Sequence, residues 1–124
     1  MMKYCLSIAF FTALTIGGPD AHATTRVSLR VAPSISLAPA VLKIEARVEP
    51  NDENRLLSVE VDSSSYWRSS EFLLNGRDAQ RVSQLVVKGL PSGVYEVRAV
   101  LVGTTGPIQT AVQFVQVQPG AGAP

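Results

Sequence analysis

Between residues 41 and 49 the chain alternates strictly. Leu42, Ile44, Ala46 and Val48 are apolar, and the residues between and after them, Lys43, Glu45, Arg47 and Glu49, are charged. A two-residue period sorts side chains onto the two faces of an extended strand, whereas a helix would scatter the same residues around its axis. The rhythm recurs. Leu57, Val59 and Val61 alternate with Ser58, Glu60 and Asp62. Tyr95, Val97, Ala99 and Leu101 alternate with Glu96, Arg98 and Val100. Strands with one apolar face must cover that face against another sheet.

Turn chemistry separates the strands. Pro50 to Asn54 forms a polar turn. Ser63-Ser64-Ser65, Asn75-Gly76, Gly89 to Gly93 and Gly103 to Pro107 break the remaining runs. The spacing predicts further strands over Tyr66 to Leu74, Arg81 to Lys88 and Ile108 to Gln118. Two of these change apolar phase, and one extra residue in a strand reverses the facing of all that follow. Bulges are therefore expected near Ser69-Ser70 and between Phe114 and Val115. Residues 24–38 carry Val27, Leu29 and Val31 in alternation, then Pro33 and Pro39. They read as an N-terminal extended segment or edge strand, because proline is tolerated only at strand edges and ends. Residues 39–118 read as one domain, and the chain after residue 23 as an all-β, single antiparallel two-sheet sandwich of about seven strands. The tail, 119–124, is Pro-Gly-Ala-Gly-Ala-Pro and has nothing to bury.

The first 23 residues differ in kind. Lys3 precedes an apolar run from Leu6 to Ile16, Gly17-Gly18-Pro19 breaks it, and Ala21-His22-Ala23 has the small-x-small form that a signal peptidase accepts. Residues 1–23 are thus expected to be a cleaved signal peptide, with no membrane span after processing, and the product to be periplasmic or secreted. Cys5 and His22 are the chain's only Cys and His, and both would leave with the leader. Without them, Ser-His-Asp and Cys-His catalysis and ordinary zinc sites fall away. The formal net charge is +1, which speaks against a nucleic-acid partner. The expectation is a domain that is not an enzyme and holds no cofactor.

Leu90-Pro91-Ser92-Gly93-Val94-Tyr95-Glu96-Val97 resembles the entry to the sixth strand of immunoglobulin-like and fibronectin type III-like domains. That resemblance implies a tyrosine corner, in which the Tyr95 hydroxyl turns back onto nearby backbone. It puts Val97 at one position of the family's inter-sheet cysteine pair, Val59 at the other, and Trp67 as the core tryptophan.

Several groups invite a functional reading. Glu49, Asn51, Asp52 and Glu53 gather oxygens in one loop and are weak calcium candidates. Tyr66 and Arg68 flank Trp67 and could form an interaction patch, although burying Trp67 and letting Tyr66 cover an edge is the plainer account. Glu60 and Asp62 read as a solvated outer face. Val27 and Leu29 lie where a sheet edge could take a partner strand. The function expected is an interaction or structural module that binds another envelope or extracellular protein through loops or a sheet edge. The alternative is a carbohydrate-binding accessory domain.

Overall fold

The computed structural model describes residues 24–120. The expected signal peptide and the last four residues of the tail lie outside the described residues. Among the described residues there are eight strands: β1 (Val27–Ala32), β2 (Ile35–Leu37), β3 (Ala40–Val48), β4 (Asn54–Ser63), β5 (Tyr66–Leu73), β6 (Val82–Leu90), β7 (Gly93–Gly103) and β8 (Gly106–Gln118). They form two sheets, one ordered β1-β3-β6 and one ordered β2-β8-β7-β4-β5. The pairing is antiparallel throughout except for β2, which runs parallel to β8. The fold is all-β and sandwich-like, as expected, with one more strand than the seven anticipated and one parallel pair. Among the described residues no helix is long and apolar enough to cross a membrane.

The alternation explains the core. On β3, in the middle of the smaller sheet, Ala40, Leu42, Ile44, Ala46 and Val48 are buried. On β7, at the centre of the larger sheet, Tyr95, Val97, Ala99 and Leu101 are fully buried. Both sets join one cluster with Leu57, Val59 and Val61 of β4 and with Val115 and Val117 of β8. Burying a side chain of this size contributes about 1.5–3 kcal/mol, and no disulfide supplements it, since residues 24–120 contain no Cys.

The sheet assignment corrects the expected role of Val59. It lies on β4, which pairs with β7 in the same sheet, opposite Ala99. Val59 therefore cannot face Val97 across the sandwich. The strand that occupies the opposite sheet is β3, because residues 24–38 already supply two strands, one to each sheet. Trp67 is corrected as well. The β4–β5 register runs unbroken from Ser63↔Tyr66 to Leu56↔Leu73, so no bulge turns Trp67 inward, and it is 63 % exposed. Tyr66 takes the inner side instead, with its ring 6.0 Å from that of Tyr95 in an edge-to-face contact. The second expected bulge is displaced too. Leu101 pairs with Gln109 and Val102 with Pro107, leaving Ile108 as the extra residue beside the hairpin turn. Downstream, Val112 and Phe114 simply face outward.

Tyr95 makes the bond that its sequence context implies. Its hydroxyl donates to the Pro91 carbonyl at 2.6 Å, tying the entry of β7 to the preceding turn. Burial pushes the phenol pKa above its ordinary value of 10.0. Below that pH both folded and unfolded states keep the proton, and stability is complete. Above it the unfolded chain ionises first, so stability falls as pH rises toward the folded-state value. Urea titrations from pH 8 to 11 should show this decline. Tyr95→Phe should lower stability by about 1 kcal/mol at pH 8 and flatten the decline.

The side of the sandwich at β1 is closed by side chains. Gln109 Oε1 accepts from the backbone N–H groups of Arg26 (2.7 Å) and Val27 (2.9 Å). Gln113 Oε1 accepts from Val31 N–H at 3.1 Å, and its Nε2 donates to the Val31 carbonyl at 3.0 Å. Two amides on β8 thus imitate a paired strand and satisfy backbone groups that an edge would leave open. Gln113→Ala should cost about 1–2 kcal/mol. In hydrogen exchange the Val31 amide should lose protection while β7 amides keep theirs.

Candidate binding face

The alternation that fills the core also dictates what points outward. Register defines rows across the larger sheet. One row runs Trp67, Asp62, Glu96, Phe114, and the next runs Ser69, Glu60, Arg98, Val112. Beyond them lie Leu73 at one corner and, at the other, Val94 and Ile35 with Gln116 between them, followed by Leu37. Of nine large apolar residues exposed among the described residues, seven belong to this face: Ile35, Leu37, Trp67, Leu73, Val94, Val112 and Phe114. Val41 and Val86, on the other sheet, complete the nine. Seven large apolar groups exposed on one face mark it as a candidate interaction surface.

Carboxylates run through the apolar surface. Asp62 and Glu96 are directly opposite one another on adjacent strands. Arg98 reaches Glu60 at 2.7 Å and Glu96 at 3.3 Å. Among the described residues Asp62 and Glu71 form no ion pair. Arg98 thus compensates Glu96, while Asp62, opposite it, has no cation of its own among the described residues. Trp67 and Phe114 bracket the two carboxylates. Three strand spacings separate their backbones, about 14 Å.

The other sequence-level candidates fall elsewhere. The loop after β3 is folded by its own oxygens. Asn51 Oδ1 accepts from the Glu53 N–H at 2.8 Å, Asp52 pairs with Arg77 at 3.1 Å, and buried Asn54 donates to the Glu49 carbonyl at 2.9 Å. Among the described residues no three His, Cys, Asp or Glu side chains come together as a metal site, so Glu49, Asp52 and Glu53 do not converge. Asn75-Gly76 opens a single 3-10 turn, Gly76–Asp78, on the crossing from β5 to β6. Gly76 has φ +67°, and a Cβ there would stand 3.3 Å from the Asp52 carbonyl. Val27 is buried and Leu29 packs on the core, with the edge beside them held by the two glutamines. Of the candidates, only Trp67 joins the apolar face, through an exposure that the expectation of a core tryptophan contradicts. Phe114, Val94 and Leu73 are not among the sequence-level candidates. Their signal is the presence of apolar residues on the polar phase of strands.

The outer surface of the smaller sheet is different. Arg30, Lys43 and Arg47 stand on it with Glu45. Arg30, Lys43, Glu45, Gln84 and Val86 line an open depression of about 430 Å³.

No family model matches the sequence, and no curated protein does. The fold does have solved neighbours. A superoxide reductase (neelaredoxin) from Ignicoccus hospitalis is similar with a TM-score of 0.61 at 14 % identity, over 76 % of this chain and 81 % of that one. The CARDB domain of a Pyrococcus furiosus protein, solved in complex with di-metal ions, gives 0.52 at 14 % identity, over 76 % and 92 %. These likenesses concern the fold. They also correct the expectation that a chain of this build is not an enzyme: superoxide reductases use a similar fold, so the sandwich by itself does not argue against catalysis.

An indole placed as Trp67 is should emit as a solvent-exposed tryptophan. Iodide should quench it nearly as well as it quenches the unfolded chain, with the far-UV spectrum unchanged. A blue-shifted, protected emission would contradict the outward assignment of β5.

Proposed function

We propose that the chain is an exported interaction module of immunoglobulin-like build, binding a protein partner through the outer face of its larger sheet. The observation that carries this reading is the gathering of seven exposed apolar residues on one face. Folding does not call for them there, since the opposite side of each strand already supplies the core. The immunoglobulin-like build is supported by the Tyr95 bond to Pro91 and by a three-plus-five arrangement of strands. Export is supported by the leader-like residues 1–23.

A second reading is favoured by one specific feature. Trp67 and Phe114 stand at the two ends of a row with Asp62 and Glu96 between them. Aromatic faces bracketing hydrogen-bond acceptors also suit an extended carbohydrate.

The two readings separate in one experiment. The purified protein is immobilised and offered envelope extract and, separately, insoluble polysaccharides. Trp67→Ser/Phe114→Ser serves as the test variant and Thr104→Lys, in the far hairpin turn, as the control. A protein held by wild type and control but released by the double variant is the expected result. Removing two interface aromatics should cost about 2 kcal/mol or more, at least thirtyfold or so in affinity. Retention on a polysaccharide, lost in the same variant, would transfer the site to the second reading. Equal capture by all three baits would refute both.

A further inference from the structure

The two outer faces of this domain are complementary to each other. The larger sheet presents Glu60, Asp62, Glu71 and Glu96 against Arg98, together with the apolar surface. The smaller sheet presents Arg30, Lys43 and Arg47 against Glu45. The chain's near-neutral total therefore conceals two faces of opposite sign on opposite sides of the sandwich. We propose that the occupant of the larger sheet's outer face is the smaller sheet's outer face of a second copy. This rests on the reading of the larger face as a protein-docking surface and names its partner.

Three features support this occupant. First, four carboxylates against one guanidinium leave the larger face with excess negative charge, Asp62 and Glu71 having no cation of their own among the described residues, and Arg30 and Lys43, diagonal neighbours on β1 and β3, supply the opposite charge. Second, aromatic rings flank Asp62 and Glu96, and guanidinium and ammonium groups are attracted to ring faces as well as to carboxylates. Third, the depression of about 430 Å³ between Arg30, Lys43 and Val86 is an open recess in which an exposed ring such as that of Phe114 can be received.

The geometry sets the form of the assembly. Two different surfaces meet, so the contact is heterologous, and each added copy leaves one face of each kind unfilled. Because the faces lie back to back, addition extends a stack and does not close a ring. With sheets about 10 Å apart, the repeat is about 20 Å per copy. A three-stranded face is small, so each contact belongs with weak interfaces. Its ionic part is screened as salt rises.

Sedimentation velocity of the purified protein over a concentration series tests this. In low salt the weight-average mass should climb beyond that of a dimer, and raising salt to about 0.5 M should shift the series at least tenfold in concentration. Trp67→Ser/Phe114→Ser damages one face, and Arg30→Glu/Lys43→Glu damages the other. Each variant alone should remain a monomer. Their equimolar mixture should form a dimer that grows no further, because the one intact face of each variant is used in the contact and both outward faces of the dimer are the damaged ones. Thermal unfolding of each variant checks that it is folded, and if the aromatic pair is destabilised, Asp62→Asn/Glu96→Gln carries the same expectation.

A wild type that stays monomeric throughout overturns the inference. A mixture that stays monomeric, or a wild-type dimer abolished by the aromatic variant and untouched by the basic one, overturns it as well. If an envelope protein is still captured through Trp67 and Phe114 in that case, the docking face stands and only its occupant is wrong. If neither self-association nor face-dependent capture is found, the docking face fails too.

Discussion

Contact between the buried faces of two sheets, with no covalent link, is the constraint on which this structure depends. The seam is made by β3 on one side and by β7 with β4 on the other, and nearly all of its residues are aliphatic. Aliphatic side chains give transfer energy but little directional information. Specificity must come from the polar fittings at the rim. Tyr95 supplies one, because its ring lies in the core while its hydroxyl holds the Pro91 carbonyl. Gln109 and Gln113 supply the other, fixing β1 at two points against β8. Together they define where the seam begins and which strand closes it.

How much of this is legible in the sequence follows from the range of each interaction. Alternation is local, so the strands from Ala40 to Val48, Asn54 to Ser63 and Gly93 to Gly103 can be read with their facing. The Tyr95 bond spans four residues and is legible for the same reason. The glutamine clamp joins residues 82 apart, and no local pattern announces it. Which sheet a strand joins is equally non-local. Residues 24–38 read as edge material, yet they place β1 in one sheet and β2 in the other, which moves β4 out of the position expected for Val59.

The exposure of Trp67 departs from expectation for a different reason. A large aromatic ordinarily gains by entering the interior, and only a bulge at Ser69-Ser70 would permit that here. The unbroken register shows that the simple alternation of Tyr66, Arg68, Ser70 and Phe72 holds as it stands. The same preference hides Phe114, whose outward phase a second bulge would have to reverse. The candidate site is therefore visible in the sequence as a disagreement between hydrophobicity and phase, which backbone irregularity can equally well explain until the register is known.

That disagreement carries the functional argument. On β4 the outward phase is Leu56, Ser58, Glu60 and Asp62, mostly the polar pattern that a solvated sheet face requires. On β5 and β8 it holds Trp67, Leu73, Val112 and Phe114 among serine, threonine, glutamate and glutamine. Polar residues at those four positions would serve the fold equally well and would lower the risk of association. Keeping large apolar groups there, beside an excess of carboxylates, costs the isolated domain solubility. Such an arrangement is intelligible as part of a contact that covers the rings and brings cations to the carboxylates. The smaller sheet of the same molecule bears the cations such a contact needs, so one domain holds both halves of the complementarity.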